Sequence, residues 1–454
     1  MKYFFETYGC QMNTAESAAL AMTLKERGWE VVDSAEAAEL VLINTCSVRA
    51  TAEQRVFGRL ALYAAEKKKR PDGFTVVVAG CMASRLGETL KEKAPAVDYV
   101  MGTDARSTFP LILEAVEKGA AYDAAGGALA ACGEKPAFSF SAFHAEAGRV
   151  RSFVPIMHGC NNFCTYCIVP YVRGREISRD PASIMAEIRL LAEKGVREIT
   201  LLGQNVNSYL WEDNAKRQKI DFPALLEMVA DEMEKTDGNI RWARFLSSHP
   251  KDLSSKAIQV MAKRRVYCRH LHLCVQHGSN AILAAMNRTY TRERYLDLVA
   301  ELREAMPGIS LSTDLLIGFP GETEENVEET LALMEEVKFL YSYMYHYNPR
   351  EGTAAYALPD RIPDTIKQKR LAKVIALQKQ HTVELLGARI GAQATVLIEG
   401  VSRKSKDELI CRTERDEMVV APGDPSLIGK FAEATFSFLR GNTFRAKEAR
   451  ILIR

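Results

Sequence analysis

The alternation of apolar and polar positions divides the chain into stretches of different period. From Met1 to about Lys118, short apolar runs alternate with segments of helical spacing, as in a parallel α/β sheet. Lys2 to Tyr8, Leu40 to Asn44 and Phe74 to Ala79 read as strands. Asn13 with Glu16 three residues on resembles a capping box opening the first helix, whose core-facing stripe is Leu20 and Leu24. Residues 119–148 are rich in Ala, Gly and Ser without sustained period and read as a linker. Six further strands are expected at Phe153 to Met157, Glu198 to Leu202, Trp242 to Leu246, Leu271 to Val275, Ser310 to Leu316 and Tyr341 to His346. Helical patterns such as Ser183 to Glu193 and Glu324 to Val337 lie between them. Six strand and helix pairs are fewer than the eight of a closed barrel, so a partial (β/α)6 TIM-like barrel is expected. Short alternating runs at Ala394 to Ile398, Met418 to Ala421 and Phe431 to Leu439 then read as a small β-barrel, with a last strand over Phe438 to Ala446. The fold class is α/β with three cores: a parallel-sheet domain over 1–118, the partial barrel over 149–386 and the small β-barrel over 387–454.

Composition changes this picture little. At 47% hydrophobic and 26% charged residues, the 454-residue chain is an ordinary globular protein. No run of eighteen uncharged apolar residues exists, and the first residues lack the layout of a signal peptide, so no membrane partner and a cytoplasmic location are expected. Net charge is only +2, yet residues 387–454 carry twelve Lys and Arg against nine Asp and Glu, so basic charge gathers in the last domain. The run Lys67-Lys68-Lys69-Arg70 reads as a solvated helix end.

Ten cysteines without an export signal point away from disulfides and toward metal or catalysis wherever they cluster. Cys160, Cys164 and Cys167 form a C-x3-C-x2-C array directly after the first barrel strand. Three thiolates on one short loop suit a [4Fe-4S] cluster with one iron left open. A structural zinc site with His158 as fourth ligand is the bland alternative, but no second zinc knuckle accompanies it. A second set is dispersed. Cys10, Cys46 and Cys81 each follow one of the first three strands, and in a parallel sheet neighbouring strand ends lie side by side. A buried cysteine is by default a small hydrophobe, but three at equivalent positions point to a second cluster. Cys132, Cys268, Cys274 and Cys411 share no placement and read as structural or incidental.

The array His158-Gly159-Cys160-Asn161-Asn162-Phe163-Cys164-Thr165-Tyr166-Cys167 resembles the signature of the radical S-adenosylmethionine superfamily, with aromatic Tyr166 before the last cysteine. The resemblance implies S-adenosylmethionine contacts at Gly203-Gln204-Asn205 after the second barrel strand, and at Asp314 and Ile317 to Glu322 around adenine and ribose. With Cys10, Cys46 and Cys81, the whole chain resembles the methylthiotransferases. That resemblance implies two [4Fe-4S] clusters: the N-terminal one carries sulfur, and the barrel cluster cleaves S-adenosylmethionine. The cofactors carry the difficult C–H chemistry and the protein orients them. It also implies a TRAM-like RNA-binding barrel, an electron-donor protein as partner and a monomer, while the sulfur donor stays open. Tyr-Gly-Cys-Gln-Met-Asn at Cys10, Asn-Thr-Cys-Ser-Val-Arg at Cys46 and Leu201 to Tyr209 look most like the branch that modifies isopentenyladenosine beside the anticodon of tRNA. Alternatives are the branches acting on threonylcarbamoyl adenosine or on a ribosomal-protein aspartate, and, outside the family, an iron-sulfur electron-transfer or RNA-binding sensor protein. Cys274 stands where the family commonly has Pro, and His277 where Ser is common, beside Gln276 of the S-adenosylmethionine pocket. For the anticodon stem-loop, Tyr171, Arg173, Arg175 and Arg350 are candidates to neutralise phosphates, against plain salt bridges, and Arg440, Phe444 and Arg445 offer basic and aromatic contacts.

Overall fold

The computed structural model describes residues 1–47, 50–71, 73–103, 108–119, 149–213, 215–236 and 238–452. The expected linker therefore lies, beyond Gly119, outside the described residues, as does Cys132. Two compact units result. The first holds the described residues up to Gly119 with 157–161 and 167–179, and the second holds 149–156, 162–166 and the described residues from Asp180 on.

In the first unit β1 (Lys2–Tyr8), β2 (Glu30–Val31), β3 (Leu40–Thr45), β4 (Thr75–Gly80) and β5 (Tyr99–Met101) pair in the order β2-β1-β3-β4-β5, all parallel. β3 is buried along its whole length, so its apolar run is continuous and does not alternate. Its period of two still sorts the core. Val41, Ile43, Val76 and Val78 meet Val56, Leu60 and Tyr63 of α2 (Ala50–Lys69) on one face. Leu40, Leu42 and Val77 meet Leu20 and Leu24 of α1 (Gln11–Glu26) and Ile112 and Leu113 on the other. β2 and β5 escaped sequence reading because two or three residues are too few to show a period. The helix start is also corrected: Cys10, not Asn13, is the N-cap, and Asn13 sits at N3 with its side-chain oxygen 3.4 Å from the Cys10 amide. Cys10 has extended backbone, which ends β1 and turns the chain into the helix one residue later. The basic run at the end of α2 is only half solvated. Lys67 pairs with Asp98 and Arg70 donates to the carbonyls of Ala35 and Ala38, while Lys68 and Lys69 are exposed.

The chain enters the second unit at β6 (Arg151–Pro155) and returns to the first for an antiparallel pair, β7 (Met157–His158) and β8 (Ile177–Ser178). It continues as β9 (Glu198–Leu202), a hairpin of β10 (Leu210–Asp213) and β11 (Gln218–Asp221), then β12 (Trp242–Phe245), β13 (His270–His272), β14 (Ser310–Ile317) and β15 (Tyr341–His346). β6, β9 and β12 form one parallel sheet and β13, β14 and β15 another, joined by bridges Ala243–Tyr267 and Ser248–Leu273. Among the described residues no pairing joins β15 back to β6, so the six strands make an open, partial barrel.

The helix Asp364–Gly387 leads to β16 (Gln393–Val401), β17 (Glu408–Thr413), β18 (Met418–Pro422), β19 (Phe431–Arg440) and β20 (Thr443–Ile451), a closed barrel in the order β16-β17-β18-β20-β19. Phe436 and Phe444 stack at its centre, 4.1 Å apart and 12° from parallel. The expected strand over Phe438 to Ala446 is in fact two strands. Gly441, at φ +62, reverses the chain between β19 and β20, a conformation Gly adopts without a Cβ penalty. β17 carries polar Glu408 and Arg412, which interrupt its apolar run in sequence and pair with Arg445 and Glu399 in the structure.

The small barrel seals the N-terminal ends of the open barrel's strands. Trp242 meets Phe431 edge-on at 5.0 Å in a cluster with Val150, Cys268 and Leu397. Arg244, buried, donates to Glu198 at 3.0 Å and to the carbonyls of Thr413 and Glu414. Tyr341 donates to Asp416 at 2.6 Å, and Ser310 to the Arg415 carbonyl at 2.7 Å. The C-terminal ends of the strands, where barrels of this type hold their chemistry, are left to other residues.

Candidate functional site

The strand ends in the first unit are level. Tyr8 pairs with Thr45, and Thr45 with Gly80, so Cys10, Cys46 and Cys81 leave the same edge within two residues of their strands. Cys46 and Cys81 are buried and Cys10 is exposed. Cys10 caps α1, and Cys81 is the first residue of α3 (Cys81–Leu86), so helix N-terminal dipoles face the sulfurs. An asparagine pair ties this edge together. Asn13 donates to Asn44 Oδ1 at 3.1 Å and to the Thr45 carbonyl at 3.0 Å, and its Oδ1 lies 3.4 Å from Cys10 Sγ. Asn44 donates in return to the Asn13 carbonyl and to Ser17. Gly80, at φ +92, must be Gly: a Cβ there meets Asn44 Oδ1 at 2.4 Å and the Thr45 carbonyl at 2.5 Å.

Arg173 completes this edge. Its Nε donates to Cys81 Sγ at 3.2 Å, and its two terminal nitrogens hold Glu16 of α1 at 2.6 and 3.2 Å. Burial pushes the Cys81 thiol up, and the Arg173 guanidinium works against it. Arg173 is thus corrected: it is buried and bound, and does not meet phosphate, whereas Tyr171 and Arg175 are exposed. Soft thiolates at helix N-termini beside a fixed cation are a donor set that fits an iron-sulfur cluster.

Of the second array, Cys160 and Cys167 belong to the first unit and Cys164 to the second. The Cys160 amide donates to the Gly174 carbonyl at 3.2 Å. Gly159, at φ +78, brings the chain against residue 175, where a Cβ would lie 2.0 Å from the Arg175 carbonyl oxygen. In the second unit Thr165 donates to the carbonyls of Met286 and Ala285, and Asn287 to that of Phe163. Arg288, buried, donates to Cys164 Sγ at 3.3 Å, to the Cys274 carbonyl and to Tyr290. Tyr166 packs on Ile282, Met286, Phe319 and Tyr347. The Cys164 thiol beside a fixed guanidinium suits an iron-sulfur ligand.

Gly203, Gln204 and Asn205 follow β9. Asn205 donates to Asp252 at 2.6 Å, but its Oδ1, Gln204 Oε1, both side-chain ends of Asn207, Ser248 Oγ and His249 Nε2 are buried and find no partner among the described residues. Burial, helped by Arg288 and Lys251, pushes the His249 imidazole down to about 2, so it is neutral, and Nδ1 accepts from the Lys251 amide. Buried polar atoms in want of partners, gathered past β9 and β12, fit a small, highly polar ligand such as S-adenosylmethionine.

Gln276, at φ +68, continues the β13 edge: its amide donates to the Asp314 carbonyl and its carbonyl accepts from Leu316. The Asp314 side chain points to Cys274 Sγ at 3.5 Å and His272 Nε2 at 3.6 Å, while Ser312 Oγ bridges His272 Nδ1 and His270 Nε2, both at 2.9 Å. Cys274 is therefore not incidental. His277 is fully buried, 3.2 Å from Glu322, and Glu322 also holds the Gly318 amide and Arg370. The turn Gly318 to Glu322 is thereby fixed. In the small barrel, Phe444 is in the core and Arg445 pairs with Glu408, so neither offers the contact expected of it; Phe438 and Arg440 are exposed. Glu16, Asn44, Arg173 and Arg288 are the residues that sequence reading left without these roles. Motif position was a signal for Asn44 alone, since it lies in the Asn-Thr-Cys motif.

Three family models match: "Uncharacterized protein family UPF0004" over residues 2–102, the radical SAM superfamily over 154–334 and the TRAM domain over 387–447. The chain is 50% identical over 455 residues to a tRNA-2-methylthio-N(6)-dimethylallyladenosine synthase of Treponema pallidum, covering 98% of each. A protein of the same name from Treponema denticola is 50% identical, with 98% and 99% covered, and one from Moorella thermoacetica is 41% identical, with 93% of each covered. Among solved structures, the radical S-adenosylmethionine methyltransferase TsrM from Kitasatospora setae, with cobalamin and a [4Fe-4S] cluster bound, matches in fold with a TM-score of 0.58 at 18% identity, covering 78% of this chain and 77% of that one. The cobalamin-dependent S-adenosylmethionine radical enzyme OxsB matches with a TM-score of 0.53 at 12% identity, over 83% of this chain and 56% of that one.

Proposed function

The chain belongs to the tRNA-2-methylthio-N(6)-dimethylallyladenosine synthase family, and from that premise we propose that it inserts a methylthio group at C2 of N6-isopentenyladenosine at position 37 of tRNA, beside the anticodon. The observation that carries this reading is the second cysteine array. One cluster site serves many radical reactions, whereas the level edge of Cys10, Cys46 and Cys81 adds a site for sulfur. The name shared by the relatives favours this branch over threonylcarbamoyl adenosine and over a ribosomal-protein aspartate.

In this reading Cys160, Cys164 and Cys167 hold one [4Fe-4S] cluster and Cys10, Cys46 and Cys81 the other. When bound, the first supplies the electron that cleaves S-adenosylmethionine, and the second carries the sulfur that is inserted. The chain's own residues bind and orient. Gln204, Asn205 and Asn207 offer buried amide atoms in want of partners to the charged methionine end of S-adenosylmethionine. Gln276, Asp314 and the fixed turn of Gly318 to Glu322 would hold the nucleoside, and Tyr166 packs beside Phe319. Arg288 holds Cys164 to the end of β13. The TRAM barrel, with exposed Phe438 and Arg440, supports a tRNA partner, whose anticodon loop can splay a base into the site. We assign the domains as 1–118, 149–386 and 387–454 around a linker over 119–148, and the partners as tRNA and an electron-donor protein, with the chain acting as a monomer in the cytoplasm. No described helix is long and apolar enough to cross a membrane.

The test is a reconstitution. With both clusters the protein should hold about eight irons, and replacing Cys10, Cys46 and Cys81 by Ala should leave about four. Incubated with S-adenosylmethionine and a reductant, the intact protein should add a methylthio group to isopentenylated tRNA, read by mass spectrometry of the nucleoside. Modification of a ribosomal-protein substrate alone would overturn the assignment, as would iron content unmoved by the triple replacement.

A further inference from the structure

Taking a guanidinium out of water is unfavourable unless its donors are used and its charge is met. Arg173 is 3% exposed, and Glu16, equally buried, meets its charge through both terminal nitrogens. That pairing alone would satisfy a structural role. The fork is turned, however, so that Nε is left over for Cys81 Sγ, 3.2 Å away. Other contacts fix this orientation: Ile168 and Val172 pack on Cys81, and Thr103 donates to the Val172 carbonyl at 2.6 Å. The helix that ends at Arg173 (Val169–Arg173) starts two residues after Cys167, so the segment leaving one cysteine array delivers a cation to the other.

We propose that Arg173 is a positioning residue for the N-terminal iron-sulfur cluster: clamped by Glu16, it donates from Nε to the Cys81 sulfur and raises the cluster's reduction potential. The proposal rests on the reading that Cys10, Cys46 and Cys81 hold that cluster. Hydrogen bonds to ligand sulfur and local net charge are the protein's main levers on iron-sulfur potentials. A cation at one thiolate favours the more negative, reduced cluster, and it offsets the charge added when an anionic sulfur binds the open iron. Glu16 acts in the opposite sense, because its carboxylate dilutes the cation.

The experiment uses the full chain with Cys160, Cys164 and Cys167 replaced by Ala, so that a single cluster is read, in a redox titration followed by electron paramagnetic resonance. Glu16→Gln should raise the midpoint. Adding Arg173→Met to Glu16→Gln leaves no unpaired carboxylate. It should lower the midpoint relative to Glu16→Gln by at least a tenfold change in the reduced-to-oxidised ratio, about 59 mV for one electron. Arg173→Lys should lie between, and Arg288→Lys should leave this midpoint in place. Equal midpoints with and without Arg173 overturn the proposal. If the double variant binds no cluster, the Glu16→Gln comparison decides, and a midpoint that does not rise overturns it. A parent protein that binds no iron overturns the ligand reading itself, and the proposal with it.

Discussion

His270 shows how a single side chain can couple the barrel lumen to its floor. It bonds Ser312, stacks on Tyr341 at 5.5 Å, and Tyr341 in turn donates to Asp416 of the small barrel. Burial pushes its imidazole down to about 3, against the opposing pull of Asp416. The unfolded chain, with a histidine near 6.5, then binds more protons than the folded one at every pH between these values. Stability is therefore full above about pH 6.5 and falls as pH drops toward 3. Between pH 7 and pH 5 this single group should cost roughly 2 kcal/mol, and His270→Asn should remove that much of the pH dependence in urea unfolding. An unchanged slope would show that the imidazole is not buried neutral. The asparagines at the cysteine edge make a related point. Their presence was legible in the motifs around Cys10 and Cys46, but that Asn13 and Asn44 bond each other across α1 and β3 depends on strand register, which spacing along the chain does not encode.

Among elements, the turn from β4 into α3 is the most demanding. Gly80 stands at φ +92 and ψ −158, a region that costs a side chain about 1–3 kcal/mol, and a Cβ there would also strike Asn44 and the Thr45 carbonyl. Gly80→Ala should displace Cys81 and lower the iron content of the reconstituted protein by about half, with the barrel cluster retained. Full iron content in that variant would show that the strand end is not what positions Cys81. Elements that carry several apolar positions in period are legible in the sequence. Glu324–Val337 and Tyr341–His346 match expectation residue for residue, whereas Glu30–Val31 and Tyr99–Met101 are too short to show a period. The last hairpin is a different case: Arg440, Gly441, Asn442 and Thr443 interrupt the apolar positions, and the chain reverses at Gly441, which has a positive φ.

At the scale of the second unit, the small barrel is part of the larger one's core. Removing residues 387–454 would uncover Val150, Trp242 and Cys268 and strip Arg244 of the Thr413 and Glu414 carbonyls. Each large apolar side chain uncovered gives up about 1.5–3 kcal/mol, and the buried Glu198–Arg244 pair is left with fewer donors and acceptors. The truncated chain should therefore elute from size exclusion as aggregate and lose its cooperative thermal transition. A monodisperse product with an unchanged melting point would contradict this and make the TRAM barrel a separable tRNA grip.

The sequence by itself determined the three kinds of architecture, the six cysteines and the family, because period, spacing and motif are properties of neighbours along a chain. Tertiary structure alone decided which residues meet those cysteines and which only look available. Arg173 and Arg445 read as phosphate contacts in sequence, yet one lies buried between Glu16 and Cys81 and the other is paired with Glu408. An arginine pairs with carboxylate as readily as with phosphate, and its remaining donor can also meet a sulfur. Which it finds is set by strands and helices that come together from distant parts of the chain.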